Sequence, residues 1–158
     1  MRQEAVIVSP YALEAKNISV TLGGWKVLNV SSLQVMPNEV LVVIGPNGSG
    51  KTTLLLTLAG LLRPASGIIL YGGQAASSKA EILRLHRRVA VAFQDPLLLS
   101  STVWDNVTLG LRLRGVNKEE IKLRANKWLE RFGIASLAGR QAKTLSGGEA
   151  KRTSLSRA

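Results

Sequence analysis

Nine consecutive residues, Gly45-Pro46-Asn47-Gly48-Ser49-Gly50-Lys51-Thr52-Thr53, restrict what this chain can become more than any other stretch. Gly45, then Gly50 followed at once by Lys51 and Thr52, meets the spacing G-x-x-x-x-G-K-[ST] of a phosphate-binding loop. The flanks agree with that reading. Val40-Leu41-Val42-Val43-Ile44 is a short apolar, mostly β-branched run suited to a buried parallel strand, and Leu54-Leu55-Leu56-Thr57-Leu58-Ala59 continues as a helix. A Gly-rich surface turn that binds nothing has no need of that strand and helix.

The chemistry follows from the geometry the motif requires. Glycines let successive backbone N–H groups turn inward around an anion, and the helix N-terminus adds its partial positive charge. Gly45 to Thr53 as a whole are therefore the candidate contacts to a nucleotide polyphosphate, with Lys51 reaching its β- and γ-phosphates. The Thr52 hydroxyl is the candidate Mg²⁺ ligand, while Thr53, Leu54 and Leu55 also anchor the helix. ATP and Mg²⁺ are the cofactors expected.

Composition narrows the class. At 158 residues, 46% of them hydrophobic, the chain is long enough for a substantial core and too apolar for general disorder. No apolar stretch reaches transmembrane length, and Met1 to Val8 is too short and too acidic for a secretory signal, so a cytosolic compartment is the default. Zero cysteines remove disulfides, zinc clusters and thiol nucleophiles. The net charge of +11 is uneven: residues 1–78 carry five basic and three acidic residues, residues 79–158 sixteen and seven. A nucleic-acid or membrane-surface partner is one reading of the basic half; a solvated helical face is the plainer one.

Along the chain, Ala12 to Leu22 reads as a strand, Gly23-Gly24 as a hairpin turn, and Val27 to Val35 as a second strand. Pro37-Asn38 turns the chain into the run before the loop, so an antiparallel β layer precedes a parallel one. Beyond Arg63 to Gly67, Ile68 to Tyr71 with Gly72-Gly73 gives another strand and turn, and Val89 to Phe93 a buried strand ending at Gln94-Asp95-Pro96. Ser78, Thr102 with Asp105, and Asn117 with Glu120 each read as a helix start. Ile121, Ala125, Trp128, Leu129 and Phe132 form one apolar stripe expected in the core, and His86, among arginines, an exposed helix-end histidine.

Leu145-Ser146-Gly147-Gly148-Glu149 by itself is open to two readings, an ordinary capping box with Ser146 as N-cap or a functional motif. Its place in the chain matters: Gln94 stands 43 positions after Lys51, and Ser146 a further 52 on, followed by AKRTSLSRA. These three motifs, GPNGSGKT, AFQDP and LSGGE, in this order and at these distances, resemble the ATP-binding subunit of ABC transporters from about Ala12 to Ala158. The resemblance implies an α/β P-loop NTPase core of the ABC type, with an N-terminal antiparallel β layer and a helical subdomain. The β layer and loop core would span about 12–94, the helical subdomain about 95–145, and the signature motif with the start of its helix 145–158.

The same resemblance assigns roles. Lys51 and Gln94 become the candidate catalytic residues, Gln94 contacting Mg²⁺ and the attacking water beside the groove that receives a membrane subunit. Ser146, Gly147 and Gly148 become the residues that cap the γ-phosphate held by a second, head-to-tail nucleotide-binding subunit. Implied partners are that second subunit, transmembrane permease subunits and, indirectly, a solute-binding protein, with the chain peripheral on the cytoplasmic face of the membrane and no nucleic acid expected.

Two features depart from the family pattern. Leu22 stands where an aromatic usually stacks on adenine, leaving Trp25 to take that role or to be an exposed hairpin residue. The sequence stops at Ala158, before the family's Walker B strand, catalytic Glu and switch His, so these residues alone are expected to bind nucleotide with negligible hydrolysis and to leave apolar sheet uncovered. The complete protein is expected to be an ATPase serving uptake. TLSGGEAKRTSLSRA with LLLSSTVWDNVTLGLRLRG upstream looks most similar to tungstate or molybdate importers. The alternative is an ABC-type ATPase acting on nucleic acid or the ribosome; the interval between loop and signature has neither the heptads nor the cysteines such proteins commonly insert there.

Overall fold

The computed structural model describes residues 9–76 and 78–158. The opening stretch 1–8, read above as no secretory signal, lies outside the described residues. The chain forms two compact units, Met1–Ala90 and Val91–Ala158.

In the first unit, β1 (Leu13–Leu22) and β2 (Trp25–Val35) form the expected antiparallel hairpin, with Leu22 opposite Trp25 across the Gly23-Gly24 turn. The other edge of β1 pairs antiparallel with β3 (Ser66–Tyr71), which turns at Gly72-Gly73 into the two-residue β4 (Gln74–Ala75), giving the order β2-β1-β3-β4. β1 is irregular in its middle. Asn17 has φ 50° and the β1–β3 register shifts between Lys16 and Ser19, so Ala15 and Ile18, an odd number of residues apart, reach the same core. Gly67 answers that bulge: at φ +86°, a Cβ there would collide with the Asn17 and Lys16 carbonyls.

Helix α1 (Lys51–Leu58) lies against this sheet. Leu54 and Leu58 close over Ala15 and Ile18, with Leu28, Val30, Val43 and Ile69 around them. The buried Thr57 hydroxyl donates to the Thr53 carbonyl one turn earlier at 2.6 Å, which satisfies it without leaving the helix. Helix α2 (Lys79–His86) starts at Ser78, whose hydroxyl accepts from the Glu81 N–H while the Glu81 carboxylate accepts from the Ser78 N–H, a complete capping box.

Two expected strands do not form. Residues 40–44 and 89–93 make no ladder hydrogen bonds among the described residues, and no parallel pair is found there. Val40 and Ile44 are each 87% exposed; only Val43 of the run joins the core. An apolar run records a demand for burial, whereas a strand also needs a neighbour for its N–H and C=O groups, and these segments have none. His86 also differs from expectation: it is half-buried, and its Nε2 donates to the Gly60 carbonyl at 3.1 Å.

The second unit is helical. α3 (Val103–Leu113) is capped by Thr102 and α4 (Lys118–Arg131) by Asn117, each side chain accepting the N–H three residues on. α5 (Gly147–Arg157) follows two short 3₁₀ turns. Val103, Val107, Ala125, Leu129 and Ile134 make the core. The α4 stripe is only partly core. Ile121, Ala125 and Leu129 are buried, while Trp128 is 40% exposed, stacks on Phe132 at 5.9 Å and carries the Arg131 guanidinium over its ring at 5.3 Å. The buried face of α5 is Thr153, Ser154 and Ser156, small residues that permit close helix approach; the Thr153 and Ser156 hydroxyls return to the carbonyls four residues earlier.

Candidate functional site

The loop from Gly45 to Gly50 leads directly into α1, with Gly50 as the N-cap in the left-handed region at φ 85°. Glycine suits the position on two counts, the left-handed φ and the approach to β2, where a Cβ would lie 3.0 Å from the Val27 carbonyl. The loop is thereby seated on the sheet at one end while Gly45 to Ser49 stay exposed. A Cβ on Gly45 would lie 2.8 Å from the Ser49 Oγ, so that hydroxyl would have to turn aside.

Its main chain is rich in unused donors. The Ser49 N–H turns back to the Pro46 carbonyl at 3.3 Å, but the N–H groups of Gly48, Gly50, Lys51, Thr52 and Thr53 have no acceptor among the described residues. The last three are the orphan donors that any helix start leaves, and no side chain caps them. Lys51 folds over the loop, donating from Nζ to the Gly45 carbonyl at 2.9 Å and the Pro46 carbonyl at 2.7 Å. Its ammonium thus sits beside the N–H groups with one proton still to donate.

These residues fit a polyphosphate. Main-chain donors, a helix start and the Lys51 ammonium answer its charge, and a side chain at Gly45 or Gly50 would crowd Ser49 or the Val27 carbonyl. For Mg²⁺ the exposed Thr52 hydroxyl is a suitable oxygen donor, with phosphate and water completing the shell. No cluster of three or more acidic or histidine side chains able to hold a metal is found among the described residues.

In the second unit, Ser146 is the N-cap of α5 and forms a full capping box with Glu149: Oγ accepts from the Glu149 N–H at 3.3 Å, and the carboxylate accepts from the Ser146 N–H at 2.7 Å. Those bonds from Ser146, with Arg140 at 3.8 Å and Arg152 adding their charge, hold the Glu149 carboxyl below the ordinary glutamate range. The capping box leaves the N–H groups of Gly147 and Gly148 without acceptors among the described residues, and a Cβ on Gly147 would meet nothing within 4 Å. Gln94 is exposed in a bend rather than at a strand end. At the hairpin tip of the first unit Trp25 is 79% and Leu22 45% exposed.

Sequence reasoning missed two side chains that brace the second unit. Asn106, fully buried, grips the N–H and carbonyl of Leu99 and the carbonyl of Thr102. Arg157 donates to the carbonyls of Pro96 and Leu97 at 3.2 and 3.0 Å. An asparagine inside an otherwise apolar helical face was the only signal for the first; a contact 60 residues away left none for the second.

A glycine-rich loop of free N–H groups, carrying a lysine at the start of a helix packed on a sheet, defines a P-loop nucleotide-binding protein. The ABC transporter family profile matches residues 28–158, and the chain belongs to that family. It is 35% identical over 146 residues to the tungstate uptake system ATP-binding protein TupC of Peptoclostridium acidaminophilum, covering 92% of this chain and 65% of that one. It is 39% identical over 136 residues to the cobalt import ATP-binding protein CbiO of Rhodobacter capsulatus, covering 84% and 49%. Among solved structures, cbiO1 of Clostridium perfringens, part of the ABC transporter complex cbiONQ, superposes with TM-score 0.83 at 29% identity over 94% of this chain and 61% of that one. The chain therefore spans about half to two thirds of the length of these relatives.

Proposed function

We propose that this chain is the nucleotide-binding part of the ATP-binding subunit of an ABC importer, coupling ATP binding and hydrolysis to solute uptake. The observation that carries the reading is the loop itself: the acceptor-free N–H groups of Gly48 and Gly50 to Thr53 with the Lys51 ammonium folded over them. Bound Mg-ATP would supply the phosphoanhydride bond. In this reading the loop N–H groups and Lys51 bind and orient its β- and γ-phosphates, Lys51 exchanging carbonyl partners for phosphate oxygens, and Thr52 holds the metal. Gln94 positions metal and water. Ser146 and the Gly147 and Gly148 N–H groups face the γ-phosphate held by a second copy arranged head to tail, since a helix start with free donors is a second anion site.

The division into a β layer and loop core at about 12–94, a helical subdomain at about 95–145 and a signature segment from 145 belongs to the same proposal. So do the permease subunits as partners, a solute-binding protein behind them, and a peripheral position on the cytoplasmic face of the membrane. No helix among the described residues is long and apolar enough to cross a membrane. For the adenine base we assign Trp25, whose exposed ring lies two residues before Val27, the residue that touches Gly50. For the cargo we carry the tungstate or molybdate reading, supported by the segment 144–158 and by similarity to a tungstate system, while similarity to a cobalt system is of comparable strength. The nucleic-acid or ribosome alternative finds no support in relatives named for import.

Titration calorimetry of the 158-residue chain with Mg-ATP tests the core of this. Saturable binding that Lys51→Ala weakens strongly is expected; no heat of binding to the wild-type chain would end the reading.

A further inference from the structure

The loop that leaves Gln94 is held more firmly than its exposure requires. Leu97 is 62% exposed yet adopts φ 46°, the left-handed region that a branched side chain enters only when its surroundings enforce it. The enforcement comes from far along the chain. One guanidinium, that of Arg157 in the last turn of α5, donates through its two terminal nitrogens to the consecutive carbonyls of Pro96 and Leu97. The planar fork suits two adjacent oxygens in a way that a lysine ammonium cannot reproduce. Asn106 of α3 holds the same loop two residues further on, at both backbone groups of Leu99.

We infer that Arg157 is a positioning residue: its fork fastens the loop leaving Gln94 to the helix that begins at Ser146, so the Gln94 segment and the Ser146–Gly148 end move as one piece. The inference rests on the roles proposed above for Gln94 and Ser146–Gly148, which would make this fastening the link between a site facing one nucleotide and an end facing another. α5 is a continuous helix from Gly147 to Arg157, so a constraint at its last turn is transmitted to its first without a hinge. Asn106 secures the loop to α3, and among the described residues the side-chain hydrogen bonds from the signature helix to this loop come from Arg157.

The chain has no cysteine, which makes it a clean background for paired spin labels. One pair, Asp95→Cys with Lys151→Cys, spans loop and signature helix; a control pair, Lys127→Cys with Lys151→Cys, spans α4 and the same helix, all three sites being exposed. Distances are measured by double electron–electron resonance without nucleotide, in wild type, Arg157→Lys and Arg157→Ala. The expected result is a 95–151 distribution that broadens about twofold in both variants while the 127–151 distribution stays as in wild type, the behaviour of one released segment in an intact unit. Broadening of both pairs would make Arg157 a general brace of the helical unit and overturn the inference. Broadening of neither would overturn it as well. Should Arg157→Ala fail to fold, Arg157→Lys, which keeps the charge and loses the fork, decides alone. Failure of the nucleotide-binding reading shows separately, as absence of Mg-ATP binding to the wild-type chain, and leaves the label distances interpretable.

Discussion

The Nζ of Lys51 lies 2.7 Å from the carbonyl oxygen of Pro46, five residues before it in the same loop. This bond, with its partner to Gly45, places the ammonium where a phosphate oxygen would be received, yet both acceptors are neutral carbonyls that hold it weakly. An anion supplies a better partner. Lys51→Ala should therefore weaken Mg-ATP binding by about 10- to 100-fold, the effect of losing one charge-assisted hydrogen bond of ~1.5–3 kcal/mol. The side chain's bonds are exposed, so the denaturation midpoint should stay close to wild type. Calorimetry and urea unfolding together check both halves.

Trp25 offers a second measurement. Its ring is 79% exposed at the hairpin tip, so removing it deprives the folded chain of almost no packing. If it stacks on adenine, Trp25→Ala should weaken ATP binding by about fivefold or more, in the range of base stacking on an aromatic at ~1–3 kcal/mol. Leu22→Ala should change it less than twofold. Equal affinities for wild type and Trp25→Ala would remove the tryptophan from the site.

Gly67→Ala should be among the most destabilising single-methyl changes in the first unit. The new Cβ would meet the Asn17 and Lys16 carbonyls, and φ +86° is unfavourable to any L side chain. A loss of about 3 kcal/mol is expected in chemical denaturation, combining left-handed strain with a backbone collision.

Asn106→Ala removes three hydrogen bonds from a fully buried amide and strands the Leu99 N–H, while the Leu99 carbonyl keeps only the Ser101 N–H. It should lower the stability of the helical unit by about 2–4 kcal/mol. The Leu99 amide proton should exchange slowly in wild type and fast in the variant, and an unchanged rate would refute the brace.

The start of α5 should respond to acid. Glu149 has a depressed folded pKa, caused first by the Ser146 N–H and hydroxyl and then by Arg140 and Arg152. A depressed carboxyl contributes its stabilisation fully above the unfolded glutamate value, about 4.3, and loses it as pH falls through the lower folded value. Chemical shifts and amide protection factors at Ser146 to Glu149 should be constant at neutral pH and change only below the ordinary glutamate range. Glu149→Gln should flatten that transition.

What the sequence made legible is local. Ser78 with Glu81, Thr102 with Asp105, Asn117 with Glu120 and Ser146 with Glu149 all act within one turn, and every one of these caps is present. The first hairpin is equally local, its turn glycines sitting between paired strands. What depended on distant partners was illegible. Residues 40–44 and 89–93 have strand composition but no neighbour to bond, Trp128 lies at the edge of its stripe where the core ends, and His86 is drawn inward by the Gly60 carbonyl. The site divides the same way: the phosphate loop could be read from spacing, whereas the Arg157 fork depends on carbonyls 60 and 61 residues earlier, which no window of sequence contains.

Ser146 closes its helix with an oxygen lone pair, and a hydroxyl has more than one use. While that lone pair is occupied by the Glu149 N–H, its hydrogen is available to the Glu149 carboxylate, whose pKa it helps to lower. A Ser146→Asp exchange would preserve the helix and yet turn a donor into a repelling charge, and Ser146→Ala would do the reverse, keeping the surface neutral while loosening the turn. Folding and ligand attraction can thus be varied independently at a single atom, which makes position 146 the place where this chain can be tuned without being rebuilt.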